Sequence, residues 1–495
     1  MILAHSFRCA LLGGAALLLG AAGQADAASA SPSPTPTPTS TLTANACHAL
    51  TALDISAEIG TPVRILSAQM EGGHCQVEGY ANPQITFRLK LPDANWNGKF
   101  LEIGNGGMAG SLPANTDAAG SHDPLAAGYA VIVTDGGHRS SPLDATWADH
   151  NLPALIDYSF RAVHIAGAVG KALVRHAYGR GPRLAYFVGC SDGGREALML
   201  AQHFPRDFNG IVAGAPSMRM ANIYLNLYWM GTHVGDRRPG GPLGPASLIL
   251  LHKAALDQCA PVSGVSHGNL VHPERCTMDL RPLACKPGGS PGDCLNAADL
   301  ADARAAYDGP RRADGSVIAP PSAMPGSEAQ WGMMAIPAFA AYPFDVYSHI
   351  GFGPSPAPGW KGDDLDLDAY PASMAGVETL WSATNPDLRA FRENGGKLLS
   401  YMGLADPVGG VMDTIDYYRT VRKLMDGQAS TIAFYRLFMI PGMAHCSSGS
   451  GAYKIDYLGD LDRWVDQSQP PVRLRGTHPA DGDGPAFQDD IAPFE

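Results

Sequence analysis

The chain has 495 residues, of which 45% are hydrophobic and 17% are charged, and its formal net charge is −12. This length predicts one large domain with an insertion, or two domains, around a sizeable core. The acidic balance and the lack of a long basic run argue against nucleic acid or an anionic membrane surface as the main partner. No apolar run beyond the N-terminus is long enough for a membrane-spanning helix.

The N-terminus has the pattern of an export signal, which we place at residues 1–27. Arg8 precedes a short apolar stretch, CALLGGAALLLGAA, and ADA at residues 25–27 offers small side chains for cleavage. A buried N-terminal helix is the alternative. Residues 28–44 form a Pro/Ser/Thr-rich tract that predicts an extended linker. We therefore expect a secreted or periplasmic protein whose folded part begins at residue 45.

Removal of the signal, with Cys9, leaves eight cysteines. An even number in an oxidising compartment predicts disulfide bonds. No CxxC pair or Cys/His cluster has the spacing of a structural zinc site, so we expect no metal there. The eight are Cys47, Cys75, Cys190, Cys259, Cys276, Cys285, Cys294 and Cys446.

Between residues 83 and 216, short apolar runs alternate with stretches of helical periodicity. KFLEIGNG, YAVIVTD, LAYFVGC and GIVAGAP predict buried strands. IDYSFRAVHIAGAVGKALVRHAYG predicts a helix that ends at Gly179, and GREALMLAQHFP predicts another. Strands that alternate with helices predict an α/β domain with a mostly parallel sheet, covered on both faces.

The alternation stops from residue 217 to about 385, where the chain is rich in Gly, Pro, Met and aromatic residues. It returns in DLRAFRENGGKLLSYMG and STIAFYRLFMIPGM. We therefore expect one α/β domain, formed by residues 45–216 and 386–495, with residues 217–385 inserted over one edge of its sheet. A second independent domain is the alternative.

The stretch GCSDG, residues 189–193, has the form G-x-S-x-G and lies between a predicted strand and a predicted helix. Such a crowded turn needs glycines, and it lifts the Ser191 hydroxyl clear of the sheet. The N–H of Asp192, at the start of the helix, can stabilise an oxyanion. A serine nucleophile is the favoured hypothesis. The alternatives are a turn without chemistry and a Cys190 thiolate, which is less favoured because an exported, paired cysteine should be oxidised.

A serine nucleophile needs a base and an orienting acid, and in proteins with this turn the acid precedes the histidine along the chain. Asp406 in YMGLADPVGG and His445 in MIPGMAHCSSG follow predicted strands in that order. Either alone would suit an ordinary loop, but together they favour a triad. If it assembles, Cys190 and Cys446, which adjoin the serine and the histidine, come close enough to bridge, subject to disulfide geometry.

The chain resembles the tannase and feruloyl esterase family, which includes hydrolases of mono(2-hydroxyethyl) terephthalate. The resemblance runs from about residue 47 to the C-terminus and includes GNGGMAG, VTDGGH, GIVAGAP and NPDLRAFRENGGKLL. It implies an α/β-hydrolase core with a large lid domain inserted between the nucleophile strand region and the acid strand. The hallmark residues are Cys190-Ser191, Asp406 and His445-Cys446.

The resemblance also implies site residues that the pattern alone does not give. Gly107 of GNGG would supply the second oxyanion N–H, with Gly106 as the alternative. The remaining cysteines would pair over short separations, although eight cysteines allow 105 connectivities in principle. The implied pairs are Cys47–Cys75, Cys259–Cys276 and Cys285–Cys294.

We therefore expect a serine carboxylesterase that hydrolyses a small ester of an aromatic acid, of hydroxycinnamic or feruloyl type, through an acyl-enzyme and without an organic cofactor. A tannase, a terephthalate monoester hydrolase and an inactive binding protein are the alternatives. Oligomeric state is not readable from the sequence. Lid residues would select the acyl group. Five aromatic residues are candidates for the pocket wall, and a place in the core of the lid is the alternative for each of them. The aromatic candidates are Trp331, Phe339, Tyr342, Phe344 and Trp360.

One segment departs from the family pattern. Its lid domains usually carry a calcium loop resembling C-D-x-x-D-G-V-x-D-G, whereas residues 259–276 here read CAPVSGVSHGNLVHPERC. The carboxylate positions are occupied by Ala260, Ser263 and His267. Calcium needs about six to eight oxygen ligands, with carboxylates supplying most of the attraction. We therefore predict a loop that keeps its turn without metal.

Overall fold

The structure, a computed structural model, describes residues 41–113, 120–287, 292–350, 365–480 and 485–495. Trp360 and the predicted export signal lie outside these residues. The described part contains fourteen strands: β1 Val63–Glu71, β2 His74–Ala81, β3 Ile85–Pro92, β4 Lys99–Ile103, β5 Ala130–Thr134, β6 Leu184–Cys190, β7 Gly210–Gly214, β8 Val265–Ser266, β9 Asn269–Leu270, β10 Lys397–Gly403, β11 Tyr435–Ile440, β12 Lys454–Ile455, β13 Leu474–His478 and β14 Phe487–Ile491.

Nine of these strands form the main sheet, in the order β1-β2-β3-β5-β4-β6-β7-β10-β11. Six neighbouring strands, from β5 to β11, are parallel to one another, as the alternating pattern predicts. Every residue of β4, β5 and β7 is buried, because packed elements cover both faces of the sheet at these strands. This part of the fold places the carboxyl ends of the parallel strands along one edge.

Two groups of strands were not predicted from the sequence. Strands β1–β3 pair antiparallel with one another, and β3 continues antiparallel onto β5. Strands β12–β14 form a separate antiparallel sheet near the C-terminus. In both groups buried and more exposed residues alternate, so long apolar runs like those of the central strands are lacking.

Fourteen α-helices lie in the described residues: α1 Ala44–Ala49, α2 Ser56–Ile59, α3 Leu152–Ile156, α4 Ala162–Tyr178, α5 Asp192–His203, α6 Met220–His233, α7 Pro245–Ser263, α8 Ala297–Asp308, α9 Pro337–Ile350, α10 Tyr370–Trp381, α11 Arg389–Glu393, α12 Val411–Leu424, α13 Gln428–Ile432 and α14 Tyr457–Gln467. Helices α4, α5 and α14 pack against the strands of the main sheet. None of the described helices combines the length and the apolarity needed to cross a membrane.

The helix expected to end at Gly179 is present, with an irregularity. A π-helical turn, Asp157–Arg161, joins α3 to α4. Gly179 ends the helix with φ 70°, a conformation that glycine adopts at little cost. The expected start of the folded part at residue 45 is wrong, because Leu42 is buried and the Thr43 side chain caps α1.

Residues between 217 and 385 add no strand to the main sheet in their described part; they form α6–α10 and the β8–β9 hairpin. The two ends of this inserted segment meet where Ala383 N donates to Met218 O at 2.9 Å. Its apolar side chains form a second buried cluster with Met108, Tyr158 and Val408. The inserted segment is thereby packed onto loops at the carboxyl ends of the parallel strands.

Candidate active site

Ser191 lies in a strained turn between β6 and α5. Its φ is 63° and its ψ is −118°, in a region that non-glycine residues rarely adopt. The flanking glycines allow the turn to form. A Cβ on Gly189 would lie 2.3 Å from the carbonyl oxygen of Gly193, and one on Gly193 would lie 2.8 Å from that of Asn105. The turn therefore presents the serine hydroxyl above the end of β6.

Ser191, His445 and Asp406 form one hydrogen-bonded chain. Ser191 Oγ lies 2.9 Å from His445 Nε2, and His445 Nδ1 lies 2.7 Å from Asp406 Oδ2. The other carboxylate oxygen of Asp406 accepts the N–H groups of Val408 at 2.7 Å and Gly409 at 3.0 Å. Asp406 is fully buried. Its hydrogen bonds to Val408, Gly409 and His445 fix its orientation. With Nδ1 protonated, Nε2 is free to accept the hydroxyl proton of Ser191.

Two opposing effects set the pKa of His445. Burial lowers this pKa, while the negative charge of Asp406 and its hydrogen bond raise it, and the net result is a pKa above the ordinary value. The imidazole side chain is one-fifth exposed. An imidazole held in this way is a good acceptor for a proton from a hydroxyl.

A disulfide between Cys190 and Cys446 ties the serine turn to the segment that carries His445. The Cα atoms of the two cysteines lie 5.9 Å apart across a sequence separation of 256. We call residues 441–451, which follow β11, the histidine loop. The other three disulfides also have the pairings that the resemblance implies: Cys47–Cys75, Cys259–Cys276 and Cys285–Cys294.

Gly107 and Asp192, whose backbone N–H groups are the expected oxyanion donors, line the same pocket as Ser191. Neither donates a hydrogen bond to another described residue. Gly107 has φ 59°, and a Cβ there would lie 2.3 Å from Pro142 O, so only glycine fits. Tyr158 links both positions, because its hydroxyl lies 3.1 Å from Gly107 O and 2.9 Å from Asp192 Oδ1 and shares its one proton between these two acceptors. Gly106 lines the pocket as well.

Buried polar residues that the sequence reasoning missed hold the GNGG segment against α5. Glu196 accepts both the backbone N–H of Asn105, at 2.8 Å, and its side-chain amide, at 2.9 Å. Asn105 O in turn accepts Gly193 N–H at 2.8 Å. Burial raises the pKa of Glu196 to about 8.

Arg195 and Asp192 form a buried ion pair at the start of α5. Arg195 Nε lies 2.6 Å from Asp192 Oδ1, and both side chains are at most 2% exposed. Arg195 also donates to the carbonyl oxygens of Ser159 and Tyr158. These bonds occupy the guanidinium and compensate its charge inside the protein.

The motif VTDGGH supports the other side of the GNGG segment. His138 Nε2 donates to Met108 O at 2.7 Å, and its ring stacks on Trp147 with centroids 3.6 Å apart. Burial lowers the pKa of His138 to about 4, so the imidazole is neutral near pH 7. Asp135 fixes the turn before it by accepting Gly137 N–H at 3.0 Å.

A pocket of about 300 Å³ opens beside Ser191 and His445, and its walls are mainly apolar. Of the aromatic candidates, Phe339 and Tyr342 line it, and Tyr224 does so without having been predicted. Trp331 and Phe344 do not line it. They are buried in the inserted segment, with the Trp331 indole N–H on Ser327 Oγ and the Phe344 ring under Arg237. Apolar side chains from several segments complete the walls: Leu143, Met220, Ile223, Leu227 and Val408.

Residues 259–276, where the sequence departs from the calcium loop of the family pattern, contain the end of α7 and the β8–β9 hairpin. Ala260 and Ser263 lie in α7, and His267 lies in the turn between β8 and β9. Ser263 Oγ accepts His272 N–H at 2.8 Å. Across the described residues, no three His, Cys, Asp or Glu side chains are gathered as metal ligands would be.

Comparison with known proteins identifies the family. The family model described as "Tannase and feruloyl esterase" matches residues 70–342 and 362–486. The chain belongs to the tannase and feruloyl esterase family. It is 30% identical to the mono(2-hydroxyethyl) terephthalate hydrolase of Piscinibacter sakaiensis, over 86% of this chain and 82% of that protein. It is 29% identical to a probable feruloyl esterase B-2 of Aspergillus terreus, over 88% of this chain and 84% of that protein.

Solved structures agree on the fold. The crystal structure of feruloyl esterase B from Aspergillus oryzae superposes with a TM-score of 0.79 at 24% identity, covering 91% of this chain and 95% of that one. A tannin acyl hydrolase from Aspergillus niger gives a TM-score of 0.69 at 20% identity, covering 88% and 87%. The chain thus has the α/β-hydrolase fold, and its family membership makes it a carboxylic ester hydrolase.

Proposed function

We propose that this protein is a serine esterase in which Ser191 is the nucleophile, His445 the general base and Asp406 the orienting acid. The observation that carries the proposal is the continuous hydrogen-bonded chain from Ser191 Oγ through His445 to Asp406, with distances of 2.9 and 2.7 Å. Each of these groups has the geometry that its role requires. Family membership gives the reaction class, ester hydrolysis.

Ser191 Oγ attacks the ester carbonyl carbon while its proton passes to His445 Nε2. The carbonyl oxygen becomes an oxyanion, which accepts the N–H groups of Asp192 and Gly107. His445 then gives the proton to the departing alkoxide oxygen, so an alcohol leaves and the acyl group stays on Ser191. Water repeats the sequence against the acyl-enzyme, and the carboxylic acid is released. The residues present supply every proton transfer in this sequence.

We propose that the acyl group is aromatic and uncharged, of hydroxycinnamic or feruloyl type. The pocket beside Ser191 has apolar walls from Phe339, Ile223 and Leu227, which suit an aromatic ring. Among its described lining residues the carboxylate and imidazole side chains are those of Asp192 and His445, and Asp192 is paired with Arg195. No described lysine or arginine lines the pocket to pair with a second carboxylate, so a terephthalate monoester is less favoured.

The inserted segment would act as a lid in this mechanism, because it supplies most of the apolar wall and packs on the loops around Ser191. Secretion, or export to the periplasm, is part of the proposal. The four disulfides suit an oxidising compartment.

Two measurements test the function. Ser191→Ala should lower hydrolysis of methyl ferulate by at least about 1000-fold, and a serine-directed phosphonate should label the wild type but not this variant. Near-normal turnover by Ser191→Ala would refute the proposal. A panel of methyl ferulate, methyl gallate and mono(2-hydroxyethyl) terephthalate tests the acyl group. The highest kcat/KM for the terephthalate monoester would refute the uncharged pocket.

A further inference from the structure

A small hairpin of the inserted segment reaches across to the histidine loop. We call residues 263–272 the inserted hairpin; they contain β8 and β9. Its turn residues, His267 and Gly268, have φ values of 46° and 80°, the positive values that a tight two-residue turn requires. The Cys259–Cys276 disulfide closes the base of the hairpin. Its position is therefore well defined.

Asn269 on β9 makes the central contact with the histidine loop. Its side-chain oxygen accepts Ser450 Oγ–H at 2.6 Å, and its amide nitrogen donates to Ser450 O at 3.2 Å. The same side chain lies against Gly442, where a Cβ would come within 2.2 Å of Asn269 Oδ1. Asn269 is 6% exposed and its partner Ser450 is exposed, so these polar contacts are partly shielded from water. One amide thus touches the loop on both sides of His445.

The histidine loop has features that call for such external support. Cys446 and Ser448, both non-glycine residues, have φ values of 65° and 63°. Strained residues persist only where surrounding contacts hold them. The loop's own backbone bonds, Gly451 N to Gly442 O at 3.2 Å and Ala444 N to Ser448 O at 3.1 Å, close it on itself. Asn269 contacts Gly442 and Ser450, which lie near the two ends of the histidine loop.

The hairpin is also anchored on its far side. Ser266 Oγ donates to Asp489 Oδ2 at 2.8 Å, and the His267 ring stacks on Phe487 with centroids 4.1 Å apart. Both partners lie on β14. The hairpin is thus fixed between β14 and the histidine loop by the side chains of Ser266, His267 and Asn269.

We propose that Asn269 is a positioning residue that holds the histidine loop, and with it His445, in reach of Ser191. This inference rests on the proposed function of His445 as the base. Asn269 itself does not touch Ser191, Asp406 or the pocket described above. It acts through Ser450 and Gly442 only.

The test compares Asn269→Ala, Ser450→Ala and the double variant with Ser266→Ala, a control on the same hairpin that loses only its contact with β14. With methyl ferulate, we expect Asn269→Ala to lower kcat about 10-fold with KM unchanged, because small displacements of a catalytic group are costly. The double variant should be no worse than Asn269→Ala, since both changes break the same contact. Ser266→Ala should keep wild-type kcat.

Hydrogen exchange provides a readout that is independent of activity. In Asn269→Ala the peptide covering residues 441–451 should exchange faster, while the rest of the chain is unchanged. If that peptide keeps its protection, or if it loosens while kcat stays at the wild-type value, the proposal is wrong. Because Ser450 is exposed, Ser450→Ala gives the same test should Asn269→Ala fail to fold. Failure of the esterase function would appear separately, as activity retained in Ser191→Ala.

Discussion

Ser191 and His445 are 254 residues apart in the chain, yet their side chains lie 2.9 Å apart. Two connections between distant segments produce this contact. Strands β6 and β11 end at the same edge of the main sheet, and the Cys190–Cys446 disulfide joins the residues next to the serine and the histidine. The contact depends on two neighbours that substitution can remove: the charge of Asp406 and the Cys190–Cys446 disulfide.

Asp406→Asn should lower kcat by about 10⁴-fold, because an amide fixes the wrong tautomer of His445 and removes its counter-charge. The residual activity should also have a different pH dependence. His445 must be neutral to accept a proton, so activity rises as the pH increases through its pKa. Asp406 raises that pKa, so its removal should shift the rise to lower pH. A pH–kcat/KM profile measures both effects, and Asp416→Asn, exposed on α12, is the control. An unchanged profile would contradict this account.

Replacing Cys190 and Cys446 together by Ala should lower kcat about 10- to 100-fold while the fold survives, because the histidine loop loses its covalent tie to the serine turn. The matched control is Cys285→Ala with Cys294→Ala, which removes a disulfide of sequence separation 9 in the inserted segment. Circular dichroism checks the fold, and turnover of methyl ferulate reports the site. Wild-type turnover in the first pair would show that the bridge is dispensable.

Treatment with EDTA should leave both melting temperature and esterase activity unchanged. The segment 259–276 has Ala260, Ser263 and His267 where a calcium loop would supply carboxylates. Its turn is held by Cys259–Cys276 and by contacts with β14 and the histidine loop. A fall in melting temperature that added calcium restores would mean that other oxygen atoms bind the ion.

His138 should make the protein less stable in mild acid. Its pKa is lowered to about 4 in the folded protein, whereas in the unfolded chain it is about 6.5. The unfolded chain therefore takes up the proton first, and the stabilisation present above pH 6.5 is lost as the pH falls towards 4. The loss can reach about 1.4 kcal/mol per pH unit.

Urea unfolding of the wild type and His138→Gln between pH 4 and 7 checks this prediction. Glutamine can still donate to Met108 O but does not titrate, so its free energy of unfolding should depend less steeply on pH. Parallel curves for the two proteins would show that His138 is not responsible.

The central strands and the triad could be predicted from the sequence for local reasons. Strands β5, β6 and β7 are nearly continuous apolar runs, as is typical of strands buried on both faces, and β4 is apolar except for Lys99 and Glu102. The G-x-S-x-G turn needs glycines at fixed positions, and the contacts of Gly189 and Gly193 show the steric cause. Asp406 and His445 could be found because each follows a strand of the same sheet in the expected order.

Tertiary structure alone decided how these groups are supported. Glu196, Tyr158 and Asn269 are ordinary residues in the sequence, and no spacing links Asn269 to Ser450, 181 residues later. Their roles arise from burial, since a polar group removed from water must find a partner wherever the fold places one. Tertiary packing likewise decides that Phe339 and Tyr342 line the pocket and that Trp331 lies in the interior. Aromatic composition marks a buried surface, while only the packing of the helices decides which ring faces Ser191.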